Sequence, residues 1–250
     1  MNLGNTLAVV ALVAGLFIWP LPNGGNQLYD GCVPTHVPKI EAAVPVGDEL
    51  VADERGFSIV KRPTVFSMGA SVRNRGSRAA YHTAVRFRLV GAAGAVVWEG
   101  KPHELSVIRA GQLVSVGEVA DLYYSYEAVK VVGVELRFET THWVEDDPEN
   151  RLIQMTYDSD FRTYERDSNA AYVSYGTVAP YGCRGLSMRS IAYTYRDARG
   201  IIVGGSTEAM PRQLDTCNGM HLGTAVWIGP LPDGVDLGQS RRTTYCDIAA

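Results

Sequence analysis

Short runs of alternating apolar and polar residues follow one another along most of the chain. The clearest run is residues 81–89, where Thr83, Val85, Phe87 and Leu89 are predicted to face a core and His82, Ala84, Arg86 and Arg88 to face solvent. Because side chains of a strand point alternately to its two faces, this pattern predicts a half-buried β-strand. Residues 134–139 alternate in the same way. The glycine-containing turn at residues 91–94 predicts a hairpin between residues 81–89 and 95–98.

An internal repeat extends this pattern. A shift of about 106 residues, the separation of Val72 from Val178, aligns residues 66–117 with residues 172–223. The apolar face of the clearest strand is kept, and so are several glycines. The aligned core positions are Val85, Phe87 and Leu89 with Ile191, Tyr193 and Tyr195, and the aligned hairpin glycines are Gly94 and Gly200. The repeat predicts two copies of one β-sandwich.

The N-terminus has a different pattern. Residues 7–19 are continuously apolar, and no charged side chain occurs before Asp30. Extended by a turn to Leu3, the segment has about 17 residues, which in a helix span roughly 25 Å, just short of a bilayer core. The absence of basic residues before the run and of a small-x-small site after it favours an uncleaved anchor over a cleaved signal peptide. A buried core helix is disfavoured because the run has no polar face. No Lys or Arg follows the run before Lys39, which predicts that the body of the protein lies outside the cytoplasm. The body is expected to be anchored in the membrane, or alternatively secreted.

These patterns divide the chain into successive predicted segments. They are an apolar membrane anchor or signal segment at residues 1–22, an extended spacer and start of the first sandwich at 23–57, a first β-sandwich at 58–144, an acidic and polar linker at 145–167, and a second β-sandwich at 168–250. The acidic run at 145–150 favours a solvated linker over a calcium site, because it lacks a defined ligand spacing. The predicted fold class is all-β, with two tandem sandwiches behind one N-terminal helix.

Two short motifs carry a family resemblance. Phe87-x-Leu89-x-x-x-x-Gly94-x-Val96-Val97 and Tyr193-x-Tyr195-x-Asp197-x-x-Gly200-x-Ile202-Val203 resemble the FxLYD-type repeats, small immunoglobulin-like sandwiches of bacterial cell-envelope proteins that are similar to telokin-like domains. Asp197 matches the family's acidic turn position, which Gly91 occupies in the first copy. The resemblance implies an immunoglobulin-like fold and an envelope location. It implies no activity, since such repeats serve as spacers, adhesive modules or accessory binding domains.

The cysteines and the overall charge limit the possible compartments and partners of the protein. A net charge of -4 gives no general attraction to nucleic acid. The four cysteines agree with an oxidising compartment. Four cysteines allow three pairings, of which we favour Cys183 with Cys217 and Cys32 with Cys246. No C-x-x-C spacing occurs, so a metal site is disfavoured.

Motifs for catalysis are missing from the sequence. It contains no G-x-S-x-G, Walker loop or dinucleotide fingerprint, and its histidines have no metal-site spacing and are interpreted as ordinary surface residues. We therefore predict no catalytic, cofactor-binding or metal-binding residue. Tyrosine is abundant, with 13 residues. Strand packing explains most of them, but Tyr123, Tyr124 and Tyr126 lie between predicted strands and are expected to form an exposed contact surface.

The leading functional hypothesis is a non-enzymatic extracytoplasmic envelope protein that acts through protein–protein contacts. Its partner is expected to be a membrane or envelope protein, which makes the chain either an accessory subunit of a membrane complex or an adhesive module. The alternative is an extracytoplasmic receptor for a glycan or a small molecule. An enzyme of unrecognised type is a third, weaker hypothesis.

Overall fold

The computed structural model describes residues 40–60, 64–122, 131–145, 156–157, 162–167, 170–174, 186–209, 226–227 and 231–248. These residues are all-β, as the alternating pattern predicts. In chain order the strands are β1 Val44–Pro45, β2 Leu50–Ile59, β3 Val65–Asn74, β4 Ala79–Val90, β5 Val96–Glu99, β6 His103–Ile108, β7 Leu113–Asp121, β8 Gly133–Phe138, β9 Thr140–Val144, β10 Thr156–Tyr157, β11 Arg162–Asp167, β12 Ala170–Ser174, β13 Leu186–Asp197, β14 Ile202–Ala209, β15 Val226–Trp227 and β16 Val235–Ile248. Among the described residues there is no helix with the length and apolarity to cross a membrane, and the predicted anchor at residues 1–22 lies outside them.

The first sheet is built around β4. β9 and β8 pair with successive parts of one edge of β4, and β6 and β5 pair with successive parts of its other edge. β1 pairs with the outer edge of β9. The alternation predicted for this strand is confirmed. Thr83, Val85, Phe87 and Leu89 are 0% exposed, whereas His82, Ala84, Arg86 and Arg88 are partly exposed. The predicted hairpin is also confirmed, since β4 and β5 pair in antiparallel register.

The second sheet consists of β2, β3 and β7, and it packs face to face on the first sheet. Along β3 the apolar side chains alternate with small ones, so that Phe66 and Met68 lie on one face while Ser67 and Gly69 lie on the other. The apolar face meets Phe87 and the other inward residues of β4 in the main core. Burying one such large apolar side chain stabilises the fold by about 1.5–3 kcal/mol, so this core holds the two sheets together.

A row of glycines brings a third sheet very close to the second. Gly56, Gly69 and Gly117 lie side by side across β2, β3 and β7. The third sheet has the order β10-β16-β13-β14, and the backbone of β14 lies against this row. A Cβ atom on any of the three glycines would come closer than 3.0 Å to backbone atoms of residues 202–206. The close approach of the two backbones therefore requires residues without side chains in this row.

Hydrogen bonds between side chains and backbone join the second and third sheets. The Ser67 hydroxyl donates to the Gly205 carbonyl oxygen at 2.9 Å and accepts from the Gly205 N–H at 3.0 Å. At the free edge of β7, the Ser115 N–H donates to the Thr243 hydroxyl at 2.8 Å, and the Tyr245 hydroxyl donates to the Ser115 carbonyl oxygen at 2.8 Å. These bonds satisfy backbone groups that would otherwise be buried without partners.

The β13–β14 hairpin repeats the turn of the β4–β5 hairpin, as the internal repeat predicts. Gly94 and Gly200 both adopt the left-handed conformation, with φ of 76° and 79°. The Gly94 N–H donates to the Gly91 carbonyl oxygen at 3.2 Å, and the Gly200 N–H donates to the Asp197 carbonyl oxygen at 2.9 Å. The aligned core positions are also buried in both copies, because Ile191, Tyr193 and Tyr195 are 0% exposed.

The strands assigned to the two predicted sandwiches pack on one another. β13 and β14 of the second predicted copy contact β2, β3 and β7 of the first, and all described strands belong to one compact unit, Val33–Ala250. A further sheet in the order β11-β12-β15 completes the described elements. The division into two tandem sandwiches with a linker at residues 145–167 stays a prediction.

Candidate contact surface

The residues singled out by the sequence lie largely outside the described part of the chain. This applies to Tyr123, Tyr124 and Tyr126, and to Cys32, Cys183 and Cys217. Cys246 lies in β16 opposite Met188, and its side chain is not among those described. The cysteine pairings and the tyrosine contact surface therefore stay predictions.

Exposed aliphatic side chains gather at one end of the two packed sheets, which we call the valine end and define by Ile59, Val96 and Val132. Their exposed fractions are 52%, 50% and 67%. Val96 lies opposite Val90 at the end of β4, and on the other side of β4 the Val132 N–H donates to the Val90 carbonyl oxygen at 2.8 Å. Because neighbouring strands lie about 4.8 Å apart, the backbones at Val96 and Val132 are about 10 Å apart.

Ile59 belongs to this same end through the chain topology. The last residues of β3 and the first of β4 are joined by the short connection at residues 75–78. The start of β3 and the end of β4 therefore lie at the opposite end of the two sheets. Ile59 pairs with Phe66 near the start of β3, and Val96 and Val132 flank the end of β4. The valine end thus includes exposed side chains of both sheets.

The described residues that precede and follow the predicted tyrosine contact surface lie at the valine end. Leu122 follows β7, and its N–H donates to the Thr64 carbonyl oxygen at 2.8 Å, just before the start of β3. Val131 packs against the core immediately before Val132. Leu122 and Val131, the described residues on either side of residues 123–130, therefore both lie at the valine end. Sequence reasoning singled out the tyrosines, whose exposure stays a prediction, but not the valines, because it placed Val96 in a strand and gave Val132 no assignment.

The solvent face of the first sheet carries a row of ion pairs. The Arg88 Nε lies 2.8 Å from Glu99, and the Arg86 guanidinium lies 2.8 Å from Glu139 and 3.7 Å from Glu99. The hydrogen bond from Arg88 holds the pKa of Glu99 below its usual range, and the nearby charges of Arg88, Arg86 and Arg137 act in the same direction. Exposed pairs of this kind contribute little to stability. The row is neutralised internally, which makes it a solvated face of the sheet.

A histidine and a glutamate meet at the side of the main core. The Nε2 atom of His103 on β6 lies 3.1 Å from a carboxylate oxygen of Glu118 on β7, with side chains 29% and 13% exposed. A Cβ atom on Gly100 would lie 2.6 Å from the same carboxylate, so the β5–β6 connection covers it. His103 thus lies partly at the surface, next to the largely buried Glu118 carboxylate. Only the packing of the first sheet on the second brings these two residues together, and no local motif indicates it.

The free edge of β2 is protected against addition of another strand. β2 contains a bulge between Ala52 and Glu54, and the exposed stretch at this bulge is Asp53, Glu54 and Arg55. The Glu54 carboxylate also accepts a hydrogen bond from Arg196 at 2.5 Å, which ties this edge to the third sheet. Bulges and charges on an edge strand oppose pairing with a foreign strand. The valine end is thus a more suitable contact surface than this edge.

The described residues hold no group of three or more His, Cys, Asp or Glu side chains that could bind a metal ion. The side chains of the valine end can make apolar contacts. The adjoining solvent face of the first sheet carries the row of ion pairs. Comparison with known proteins gives no relative: no family model, no curated protein and no solved structure matches this chain.

Proposed function

We propose that this protein is a non-enzymatic extracytoplasmic envelope protein that binds a protein partner through its valine end. In this proposal it is an accessory subunit of a membrane complex or an adhesive module. The observation that carries it is that exposed Ile59, Val96 and Val132 lie at the same end of the fold as Leu122 and Val131, the described residues that flank the predicted tyrosine surface. The proposal includes an N-terminal membrane anchor and the immunoglobulin-like sandwich architecture of the FxLYD-type and telokin-like repeats.

The energetics of the valine end suit a protein contact. Full burial of a valine or isoleucine side chain stabilises by about 1.5–3 kcal/mol, and these side chains are half-exposed or more, so each gains roughly 1 kcal/mol when a partner covers it. Tyrosine adds a large rigid area with a hydrogen-bonding hydroxyl, and aromatic residues dominate the energetics of many interfaces. In this proposal the aliphatic side chains of the valine end and the predicted tyrosine side chains together provide the contact, a combination typical of protein recognition.

Co-purification from the native envelope tests the contact. The variant is Val132→Asp and its matched control is Val44→Asp, which changes a valine that is 40% exposed in β1. A carboxylate desolvated against an apolar partner costs more than 1.4 kcal/mol, so we expect the recovery of the partner to fall at least tenfold with Val132→Asp. Val44→Asp is expected to leave recovery unchanged.

The outcomes separate the proposal from its rivals, provided that both variants keep the melting temperature of the unchanged protein. Equal recovery with both variants, or a protein that purifies alone, contradicts a contact at the valine end. In the second case, stabilisation of the purified protein by a glycan or small molecule supports the receptor hypothesis, because a ligand that binds only the folded state raises the melting temperature.

The membrane anchor has its own test. Mass determination of the protein from envelope membranes is expected to give a chain that retains the apolar residues 7–19, and the protein is expected to stay with the membranes after an alkaline wash. A mature N-terminus beyond residue 22 and release into the soluble fraction contradict the anchor. That result leaves the contact at the valine end open to the co-purification test, so the two parts of the proposal fail separately.

A further inference from the structure

We draw no further inference here: the strongest candidate, the buried row of Tyr193, Arg242 and Thr244 on the face of the third sheet that turns away from β7, carries nothing because nothing among the described residues shows what covers that face.

Discussion

Replacement of Gly117 by alanine tests the close approach of the second and third sheets. Gly117 is the last glycine of the row across β2, β3 and β7, and a Cβ atom there would overlap the Ser206 amide nitrogen and lie 2.6 Å from the Tyr193 carbonyl oxygen. Both obstacles are backbone atoms of paired strands, so neither can rotate away. The added methyl group can fit only if β14 moves away from β7.

The expected cost follows from what that movement breaks. Overpacking alone costs about 1–3 kcal/mol. Separation of the sheets also weakens the bonds between Thr207 and Gly117 and between Ser67 and Gly205, each worth about 1 kcal/mol. We expect Gly117→Ala to lower the free energy of unfolding by about 3–5 kcal/mol. For a chain of this size that lowers the melting temperature by roughly 6–20 °C.

Thermal unfolding of the full-length protein in mild detergent, followed by circular dichroism, measures this loss. The matched control is Gly47→Ala, where the nearest obstacle is the flexible end of the Glu49 side chain at 2.6 Å. The control is expected to change the melting temperature by less than about 2 °C, because a surface carboxylate moves at little cost. Equal melting temperatures for Gly117→Ala and Gly47→Ala would refute the reasoning, since they would show that the two backbones are not in contact.

Further predictions address the core, the sheet contact and the acidic turn. Phe87→Ala is expected to destabilise the protein by about 3–5 kcal/mol in chemical denaturation, because Phe87 is 0% exposed. Val132→Ala is expected to change the free energy of unfolding by less than about 0.5 kcal/mol, and a larger change would contradict the exposed position of Val132. Tyr245→Phe is expected to cost about 1–3 kcal/mol, because the variant leaves the buried Ser115 carbonyl without this donor; an unchanged denaturation midpoint would show that the bond is absent. Hydrogen bonds from the Arg199 side chain and from the backbone N–H groups of residues 201 and 199 hold the pKa of Asp197 below its usual range. The stabilisation from this lowered pKa is therefore present above the ordinary carboxyl range and is lost as the pH falls through the lowered value. NMR titration of Asp197 is expected to show a higher pKa in Arg199→Gln, and an unchanged pKa would rule out the assigned cause.

The sequence predicts best what adjacent residues decide. The alternation along residues 81–89 fixes which side chains of β4 are buried, because a strand turns each successive side chain to the opposite face. The paired turns at Gly94 and Gly200 are equally local, since each needs one residue with a positive φ. Both features were therefore open to prediction from one chain without any knowledge of its partners in space.

The close contact between sheets was not open to such prediction. Gly56, Gly69 and Gly117 are far apart in sequence, and only the registers of β2 with β3 and of β3 with β7 place them in one row. Each glycine alone predicts a turn or a weak strand position. The meeting of His103 with Glu118 has the same origin, because it depends on how two sheets pack and not on any spacing along the chain.

In the candidate contact surface too, sequence patterns point to some of the residues and not to others. Tyrosine abundance pointed to Tyr123, Tyr124 and Tyr126, whose place between predicted strands favours exposure. Val96 and Val132 carry no comparable signal, since valine is favoured in buried strands. Their exposure results from their positions at strand ends, where the neighbouring strand stops, and only the arrangement of the sheets identifies those ends.

Site-specific photo-cross-linking in the native envelope tests the proposed protein contact most directly. A photoreactive amino acid at Val132 samples the valine end, and the same residue at Val44 samples a valine of similar chemistry in β1, away from that end. The account predicts a discrete cross-linked protein adduct from position 132 and none from position 44. Adducts of equal yield from both positions, or no adduct from position 132 in envelopes that contain the folded protein, would contradict it.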